Sequence, residues 1–434
     1  MLSRRQFLAS VAAPVVFGQH ATGLRARHQA PAGFAVPRRL AGYPDYPAFD
    51  AAAVGRGLRE RFSDLRNHFV FEYYPWYATN PWRHWNEAGR TPPYDIAATS
   101  VPELGPYDSR DPHVLEQHAR WIVESGAGAI DVSWWGRDSY EDRAVPLLMD
   151  VMRDHGVKVT FHLEPYDSTR TDSYALDIQY LLTEYGDKRH WDCQLVLRDA
   201  NGDEGPVFKS FATLIGPQST DCHGRTSAVP MWRPDSAWRQ QTDTLRSTFH
   251  RDFDHIHLIA DSTDVARVRA TGFDGVSPYG GYSADGFPAT AHACSDAGLV
   301  YSFPISTGFD AIIQRNVPAD SCYRPPTFQP PAEIDWSNSS DREQARVLSL
   351  WQVEASMRTS LNVQTDPALF DTKAGFFLTY LNTFNEWFEG TAFEPMKDRD
   401  ALLPQELPFE YHNPTYGRYR MDYLKPRLAQ ILEG

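Results

Sequence analysis

The sequence predicts an α/β protein, a single (β/α)8 TIM barrel with long βα loops. Short runs of β-branched and aromatic residues alternate with helical patterns at a spacing of roughly thirty residues, which is typical of parallel β/α units. The chain has 434 residues, of which 42% are apolar, so it is long enough to build one such barrel with large loops. We therefore expect residues 67–434 to form one barrel domain.

The first residues predict a targeting segment that precedes the barrel. Arg4 and Arg5 stand before an apolar run over residues 9–18, which is too short to span a bilayer as a helix. Paired arginines in this place are typical of a twin-arginine signal, although an ordinary charged N-terminus is the alternative. We expect residues 1–30 to be signal peptide and linker, and residues 31–66 to be an N-terminal arm. The signal would engage the twin-arginine export machinery and make the mature protein periplasmic or secreted.

Eight segments have the composition of buried strands, because they are rich in β-branched and aromatic residues and end at Gly, Pro or polar residues. The fourth strand has two candidate segments of the same kind. In chain order the predicted strands are residues 68–77, 129–135, 157–166, either 194–198 or 206–211, 255–260, 273–279, 299–304 and 374–383.

Helical patterns fill the intervals between these strands. Asp111 and Pro112 mark a helix start, and Gly126 marks its end. Two stretches, residues 80–106 and 307–338, show no pattern and are predicted to be long loops, which are often functional. The other predicted helices are residues 143–155, 173–185, 236–250, 265–270, 289–297 and 341–361.

Composition excludes several classes of partner. The formal net charge is -14 and the sequence pI is about 5.5, so nucleic acid and anionic membrane surfaces are poor partners. After the first residues, no segment is long and apolar enough for a transmembrane helix. We therefore expect no nucleic-acid partner and no stable insertion into a membrane.

The sequence offers no sign of a cofactor or a metal. There is no dinucleotide-binding glycine motif, phosphate loop or nucleophile elbow. His255 and His257 share one face of a predicted strand, but no third ligand is evident beside them. The four cysteines are far apart and leave three pairings open, among them Cys193 with Cys222 together with Cys294 with Cys322, and four free thiols are the alternative.

A polar cluster follows the last predicted strand. Glu386 and Glu389 are three residues apart, so a tight turn would place both on one side. Paired carboxylates at the C-terminal end of a barrel strand are typical of acid/base chemistry on a sugar. A capping box or two solvated loop acids are the alternative. The aromatic neighbours Trp387 and Phe388 favour the sugar site.

Aromatic and polar residues also stand at the ends of other predicted strands. Aromatic rings stack on the apolar faces of sugars, and carboxylates bind hydroxyl groups. The candidate binding residues are Tyr73, Tyr74, Trp134, Trp135, Glu164, Tyr166, Tyr279 and Asn385, together with His84 and Trp85 from the first long loop.

With these residues together, the chain resembles glycoside hydrolase family 99, the endo-α-1,2-mannosidases and endo-α-1,2-mannanases. The matching motifs follow the order of that family over residues 69–395. The resemblance implies a (β/α)8 barrel that hydrolyses an α-linked oligosaccharide or polysaccharide with retention of configuration, without a metal or other cofactor. The motifs are residues 73–77, 84–85, 132–136, 161–166, 273–279, 385–391 and 394–395.

The resemblance also implies roles for single residues. Glu386 would act as a base toward the 2-hydroxyl of the sugar, which attacks the anomeric carbon and forms a 1,2-anhydro sugar. Glu389 would protonate the leaving oxygen and later activate water. Glu164 would bind hydroxyl groups, either Trp134 or Trp135 would pack on a sugar, and Tyr279 would lie near the reacting centre.

Three regions depart from the family pattern. Residues 207–213 read Val-Phe-Lys-Ser-Phe-Ala-Thr where the family usually has Val-Phe-Tyr-Val-Tyr-Asp-Ser, and the helix from Asp341 lacks the usual Gly-x-Tyr-Tyr. Residues 304–310 follow the family's later loop only loosely. These regions shape binding on either side of the cleaved bond. Two alternatives follow, namely a hydrolase of another α-linked glycan such as an α-glucan, and a carbohydrate-binding barrel without turnover. The presence of both glutamates favours an enzyme.

Overall fold

The computed structural model describes residues 36, 45–280, 284–308, 330–331 and 333–434. The predicted signal segment, most of the loop predicted at residues 307–338, and Cys322 lie outside the described residues. Within the described ranges, no helix combines the length and the apolar character that crossing a membrane requires.

Eight parallel strands form the central barrel, and they pair in chain order with β1 between β8 and β2. The seventh strand has two segments on either side of Pro304, which has no N–H to donate to a neighbour. Its first segment pairs with β6 and its second with β8, and this closes the ring. The predicted (β/α)8 barrel is therefore confirmed. The strands are β1 (Phe69–Tyr73), β2 (Ala129–Trp134), β3 (Lys158–Leu163), β4 (Glu204–Ser210), β5 (His257–Ala260), β6 (Gly275–Val276), β7 (Val300–Tyr301 and Ile305–Ser306) and β8 (Thr379–Asn382).

The α-helices of the described residues surround these strands, and their ends follow local sequence signals. In α2, Asp111 caps the start through its side chain, Pro112 is the first helical residue, and Gly126 ends the helix with a φ of 98°. The helices are α1 (Ala51–Arg61), α2 (Pro112–Ser125), α3 (Tyr140–Asp154), α4 (Arg170–Leu181), α5 (Asp235–Phe249), α6 (Val265–Thr271), α7 (Phe287–Ala297), α8 (Ser339–Gln364), α9 (Phe370–Ala374) and α10 (Tyr419–Leu432).

Shorter elements connect or extend these. A π-helical segment, Leu182–His190, continues α4. The strand pairs outside the barrel are Ala78–Thr79 with Trp82–Arg83 and Gln218–Thr220 with Thr226–Ala228. The 3-10 turns are Leu65–His68, Glu87–Gly89, Ala284–Gly286, Arg399–Ala401 and Leu407–Phe409.

The structure corrects or extends three sequence predictions. Of the two candidates for the fourth strand, the barrel uses Glu204–Ser210, and Val196–Arg198 pairs with it in antiparallel register. Strand β8 begins later than predicted, because Ala374 still belongs to α9. The predicted arm contains α1, which packs on α10, a helix that the sequence analysis did not identify.

The described cysteines comprise free thiols and one disulfide-bonded residue. Cys193 and Cys294 are buried free thiols, and Cys222 is disulfide-bonded. The pairings Cys193 with Cys222 and Cys294 with Cys322, which the sequence left open, are therefore absent.

Candidate active site

The turn after β8 carries the two glutamates that the sequence singled out. The Glu389 backbone N–H donates to Glu386 Oε2 at 2.5 Å, and the Glu386 N–H donates to Thr383 Oγ1 at 2.9 Å. Glu386 is buried at 2% exposure, whereas Glu389 is only partly buried. The turn thus holds one carboxylate inside the barrel mouth and presents the other to the opening.

Tyr279, at the end of β6, contacts the more exposed glutamate. Its hydroxyl donates to Glu389 Oε2 at 2.6 Å, and its backbone N–H donates to Asp261 Oδ1 at 2.8 Å. Burial, and after it the charge of Glu389, raises the pKa of the Tyr279 hydroxyl well above its ordinary value. The hydroxyl therefore remains a proton-bearing donor over the whole range in which an enzyme works.

Asn385 fixes the turn to the end of β1. Its Oδ1 accepts from the Tyr74 N–H at 2.7 Å, and its Nδ2 donates to the Tyr74 carbonyl at 3.0 Å. Tyr77 adds a second tie, since its hydroxyl donates to the Asn385 carbonyl and accepts from the Trp387 N–H. These bonds hold the end of β1 and the turn after β8 in a fixed arrangement around Glu386.

A buried carboxylate supports the turn from behind. Glu394, at 0% exposure, accepts hydrogen bonds from the Tyr107 hydroxyl at 2.7 Å and from Trp387 Nε1 at 2.9 Å. His118 Nε2 lies 3.1 Å from its other oxygen, and His118 Nδ1 lies 2.8 Å from the Tyr73 hydroxyl. Tyr73 therefore belongs to this internal network, and the structure does not bring it to the side of the cleft.

A chain of hydrogen bonds orients Glu164 after β3. Trp135 Nε1 donates to Ser133 Oγ at 3.0 Å, and the Ser133 hydroxyl donates to Glu164 Oε1 at 2.7 Å. Burial is the main cause that raises the pKa of Glu164 to about 8. Below that pH the carboxyl group keeps its proton and can donate a hydrogen bond to a ligand hydroxyl.

Partly buried rings form a wall beside this chain. The Trp135 ring lies 6.3 Å from the Trp76 ring, which stacks on His84 at 4.2 Å between centroids. His84 Nδ1 is 2.5 Å from Glu87 Oε1. The sequence left open which of Trp134 and Trp135 faces a ligand, and the structure places Trp135 on the side of Glu164.

Trp134 points the other way along β2 and is fully buried. Its Nε1 donates to Asp142 Oδ1 at 2.7 Å, and its ring meets the edge of Tyr166 at 5.2 Å. The Tyr166 hydroxyl in turn donates to Asp177 Oδ2 at 2.7 Å. A Cβ on Gly136, whose φ is 93°, would lie 3.1 Å from the Tyr166 ring, so this close approach requires glycine.

Trp85 is also a packing residue. It is fully buried, stacks on Tyr77 at 4.1 Å and donates from Nε1 to the Tyr107 carbonyl at 2.7 Å. Tyr73, Trp85 and Trp134 thus support the walls from behind. The residues that the structure brings together at the mouth are Tyr74, Trp135, Glu164, Tyr279, Asn385, Glu386 and Glu389.

Sequence reasoning missed three supporting residues. Asp261 directly follows β5. A carboxylate at a strand end is the signal that identified Glu164, and the same signal could have identified Asp261. Tyr107 and His118 carried no comparable signal, because only tertiary packing brings their loop and helix to Glu394.

The chain is similar to known proteins in sequence and in fold. A family model described as Glycosyl hydrolase family 99 matches residues 63–193. A glycoprotein endo-alpha-1,2-mannosidase-like protein of Danio rerio is 26% identical over 379 residues, covering 79% of this chain and 74% of its own. The glycoprotein endo-alpha-1,2-mannosidase of Rattus norvegicus is 23% identical, covering 85% of this chain and 77% of its own.

Among solved structures, the GH99 endo-alpha-mannosidase from Bacteroides thetaiotaomicron has the same fold. It aligns with a TM-score of 0.54 and 18% identity over 84% of this chain and 98% of its own. The chain is similar to glycosyl hydrolase family 99, and it is a glycoside hydrolase.

Proposed function

We propose that the protein is an endo-acting, retaining hydrolase of internal α-1,2-mannosidic linkages in a mannan or an N-glycan-like oligosaccharide. The observation that carries the proposal is the single turn that holds Glu386 and Glu389 together, with Tyr279 bonded to Glu389 at 2.6 Å. The names of the mannosidase relatives support the choice of linkage.

In the first proposed step, Glu386 takes the proton of the sugar's 2-hydroxyl. The oxygen attacks the anomeric carbon and forms a 1,2-anhydro ring while the glycosidic bond breaks. Glu389 gives its proton to the leaving oxygen. The Glu389 N–H that donates to Glu386 Oε2 stabilises negative charge on Glu386 before the step, which suits a base.

In the second step, Glu389 removes a proton from water, which attacks the anomeric carbon and opens the three-membered ring. Glu386 returns its proton to the 2-oxygen. Each step inverts the anomeric carbon, so the product keeps the configuration of the substrate, with the 2-hydroxyl in the place of the usual carboxylate nucleophile. The Tyr279 hydroxyl stabilises the Glu389 carboxylate that exists between the two steps.

We propose that Trp135 and Glu164 bind the sugar before the cleaved bond. The half-buried indole offers an apolar face, and Glu164 is oriented by Ser133 at 2.7 Å. The acidic chain, with a net charge of -14, suits a neutral glycan better than an anionic one.

We also propose that the enzyme is exported by the twin-arginine route and acts in the periplasm or outside the cell. The support is the Arg4–Arg5 pair before a short apolar run. Cell fractionation tests it with an Arg4→Lys/Arg5→Lys variant. The proposal expects the wild-type protein in the exported fraction and the variant in the cytoplasm, and equal export of both proteins would contradict it.

A substrate panel tests the proposed specificity. The purified protein is incubated with α-1,2-, α-1,3- and α-1,6-linked manno-oligosaccharides and with α-glucans, and the products are identified by mass spectrometry. Release of an oligosaccharide from internal α-1,2-mannosides supports the proposal. Cleavage of an α-glucan alone would replace it with the α-glucanase alternative, and binding without cleavage would leave a carbohydrate-binding barrel.

A 2-deoxy analogue of the cleaved sugar tests the mechanism. Without the 2-hydroxyl there is no internal nucleophile, so we expect no turnover, while the matched 3-deoxy analogue is still cleaved. Turnover of the 2-deoxy compound would contradict neighbouring-group participation.

A further inference from the structure

A buried polar layer crosses the barrel interior one step below the site. Glu72 on β1, Asp131 on β2 and His162 on β3 are 0%, 0% and 1% exposed. Glu72 and Asp131 are register partners on neighbouring strands, and His162 pairs in register with Ser133, two residues beyond Asp131. One carboxylate oxygen or ring nitrogen from each of the three lies within 4.8 Å of the others.

These three side chains are poorly satisfied by the protein. Over the described part of the chain, Asp131 Oδ1 and Oδ2, His162 Nδ1 and Nε2, and Glu72 Oε2 have no hydrogen-bond partner. Buried polar atoms of this kind cost free energy unless something binds them. One donor atom from each residue is close enough to the others for the three to share one small ligand.

The charges around the layer point to a cation. Four buried carboxyl groups interact electrostatically here, those of Glu72, Asp131, Glu164 and Asp261. The cations among them are Lys209 and Arg170. With Glu164 protonated and the other three carboxyl groups ionised, one negative charge is left in excess of Lys209 and Arg170, so the layer can take up a cation.

Lys209 leaves room for such an ion. It is bonded to Glu72 Oε1, so Glu72 Oε2 remains for a second ligand. Its ammonium also lies 4.5 Å from the centre of the Tyr380 ring. The ammonium is therefore held between Glu72 and the Tyr380 ring, and its charge also acts on Asp131 and His162.

We propose that Glu72, Asp131 and His162 bind one divalent transition-metal ion, with Zn²⁺ as the best fit. Donors at about 2.1 Å from a tetrahedral ion lie about 3.4 Å apart, so small side-chain shifts would close the group around it. One imidazole and two carboxylates favour zinc over Mg²⁺ or Ca²⁺, which prefer oxygen ligands throughout. The ion ties β1, β2 and β3 together beneath Glu164 and takes no part in hydrolysis.

Metal content tests the proposal directly. Protein without a polyhistidine tag is produced in zinc-supplemented medium, dialysed against metal-free buffer and analysed by mass spectrometry of its metals. We expect about one zinc per wild-type chain and less than about one tenth of that in the isosteric variant Asp131→Asn, because a buried ion depends on each ligand. The control His255→Asn removes a histidine that lies 3.2 Å from Asp274 elsewhere, and it should keep the ion.

Cobalt gives a second readout that does not depend on activity. Wild-type protein produced with Co²⁺ should show visible d–d absorption that Asp131→Asn lacks, while circular dichroism confirms that the variant is folded. Folded wild-type protein without zinc, manganese, iron or cobalt after supplementation would overturn the proposal, and the excess charge would then be balanced by protons. Zinc retained at one equivalent by Asp131→Asn would overturn it as well.

Discussion

The Tyr279 hydroxyl donates to Glu389 Oε2 at 2.6 Å, which joins the end of β6 to the turn after β8. Burial, with the charge of Glu389 as the next cause, keeps the pKa of that hydroxyl well above its usual value. Tyr279 is therefore a fixed donor to Glu389, and it favours the ionised form of that glutamate.

Replacing this donor gives the first prediction. Tyr279→Phe should lower kcat about tenfold to a hundredfold with little change in KM, because the Glu389 carboxylate loses a buried donor. The basic limb of the pH profile should move to higher pH, since Glu389 holds its proton more tightly. Steady-state kinetics from pH 4 to 9 measure both effects. Tyr94→Phe, at an exposed tyrosine, is the control, and an unchanged kcat in Tyr279→Phe would contradict the assigned role.

Replacing Trp135 should weaken substrate binding, whereas replacing its neighbour Trp134 should lower stability. Trp135→Ala should raise KM about tenfold and leave stability nearly unchanged, because the half-buried ring faces the cleft. Trp134→Ala should lower the free energy of unfolding by about 3 to 5 kcal/mol, since that indole is fully buried and bonded to Asp142. Urea unfolding and steady-state kinetics of both variants test these roles. A larger stability loss in Trp135→Ala than in Trp134→Ala would reverse the assignment.

The carboxylate behind the turn should be structural. Glu394→Ala leaves buried donors on Tyr107, Trp387 and His118 without their acceptor, so we expect a loss of about 3 kcal/mol in the free energy of unfolding. Glu433→Ala, at an exposed position near the C-terminus, is the matched control. Equal urea midpoints for the two variants would show that the Glu394 network contributes nothing.

His257 should make the fold sensitive to acid. Burial is the main cause that lowers the pKa of His257 to about 3, whereas an unfolded histidine titrates near 6.5. Between these values the unfolded chain binds a proton that the folded chain does not, so stability falls as the pH decreases. From pH 7 to pH 5 this costs about 2 kcal/mol.

The variant His257→Phe keeps an aromatic ring beside Phe376 without the titrating nitrogens. Between pH 7 and pH 5, the free energy of unfolding of this variant should therefore fall by about 2 kcal/mol less than that of the wild type. Exposed His113→Phe is the control and should follow the wild-type pH dependence. Parallel pH curves for the wild type and His257→Phe would contradict this assignment.

Much of the fold and of the site could be predicted from local signals. The alternation of strand and helix patterns indicated the barrel, and the rule that barrel strands carry function at their C-terminal ends selected Glu164, Tyr279 and Glu386. Tyr73 was selected by the same rule, but its side chain points away from the mouth, because successive residues of β1 face opposite sides. The exact end of a strand determines which side chains point into the mouth, and composition does not define that end.

Other features depend on contacts that are distant in sequence. The pairing of α1 with α10 joins the two ends of the described chain, and no local pattern encodes it. The charged layer of Glu72, Asp131 and Lys209 lies in segments that otherwise have the apolar pattern of a core. The sequence does not predict that these charged side chains are buried, because only the closed barrel removes them from water.

The most direct measurement follows the hydrolysis of an α-1,2-manno-oligosaccharide by proton NMR with wild-type protein, Glu386→Gln and Glu389→Gln. We expect the wild type to release first a product with α configuration, and both variants to lose at least about a thousandfold in kcat/KM. With an activated leaving group that needs no proton, Glu389→Gln should recover much of its kcat/KM, which reports the first step, and Glu386→Gln should not. A product of β configuration, or near wild-type activity in either variant, would contradict the assignment of Glu386 and Glu389 as the catalytic pair.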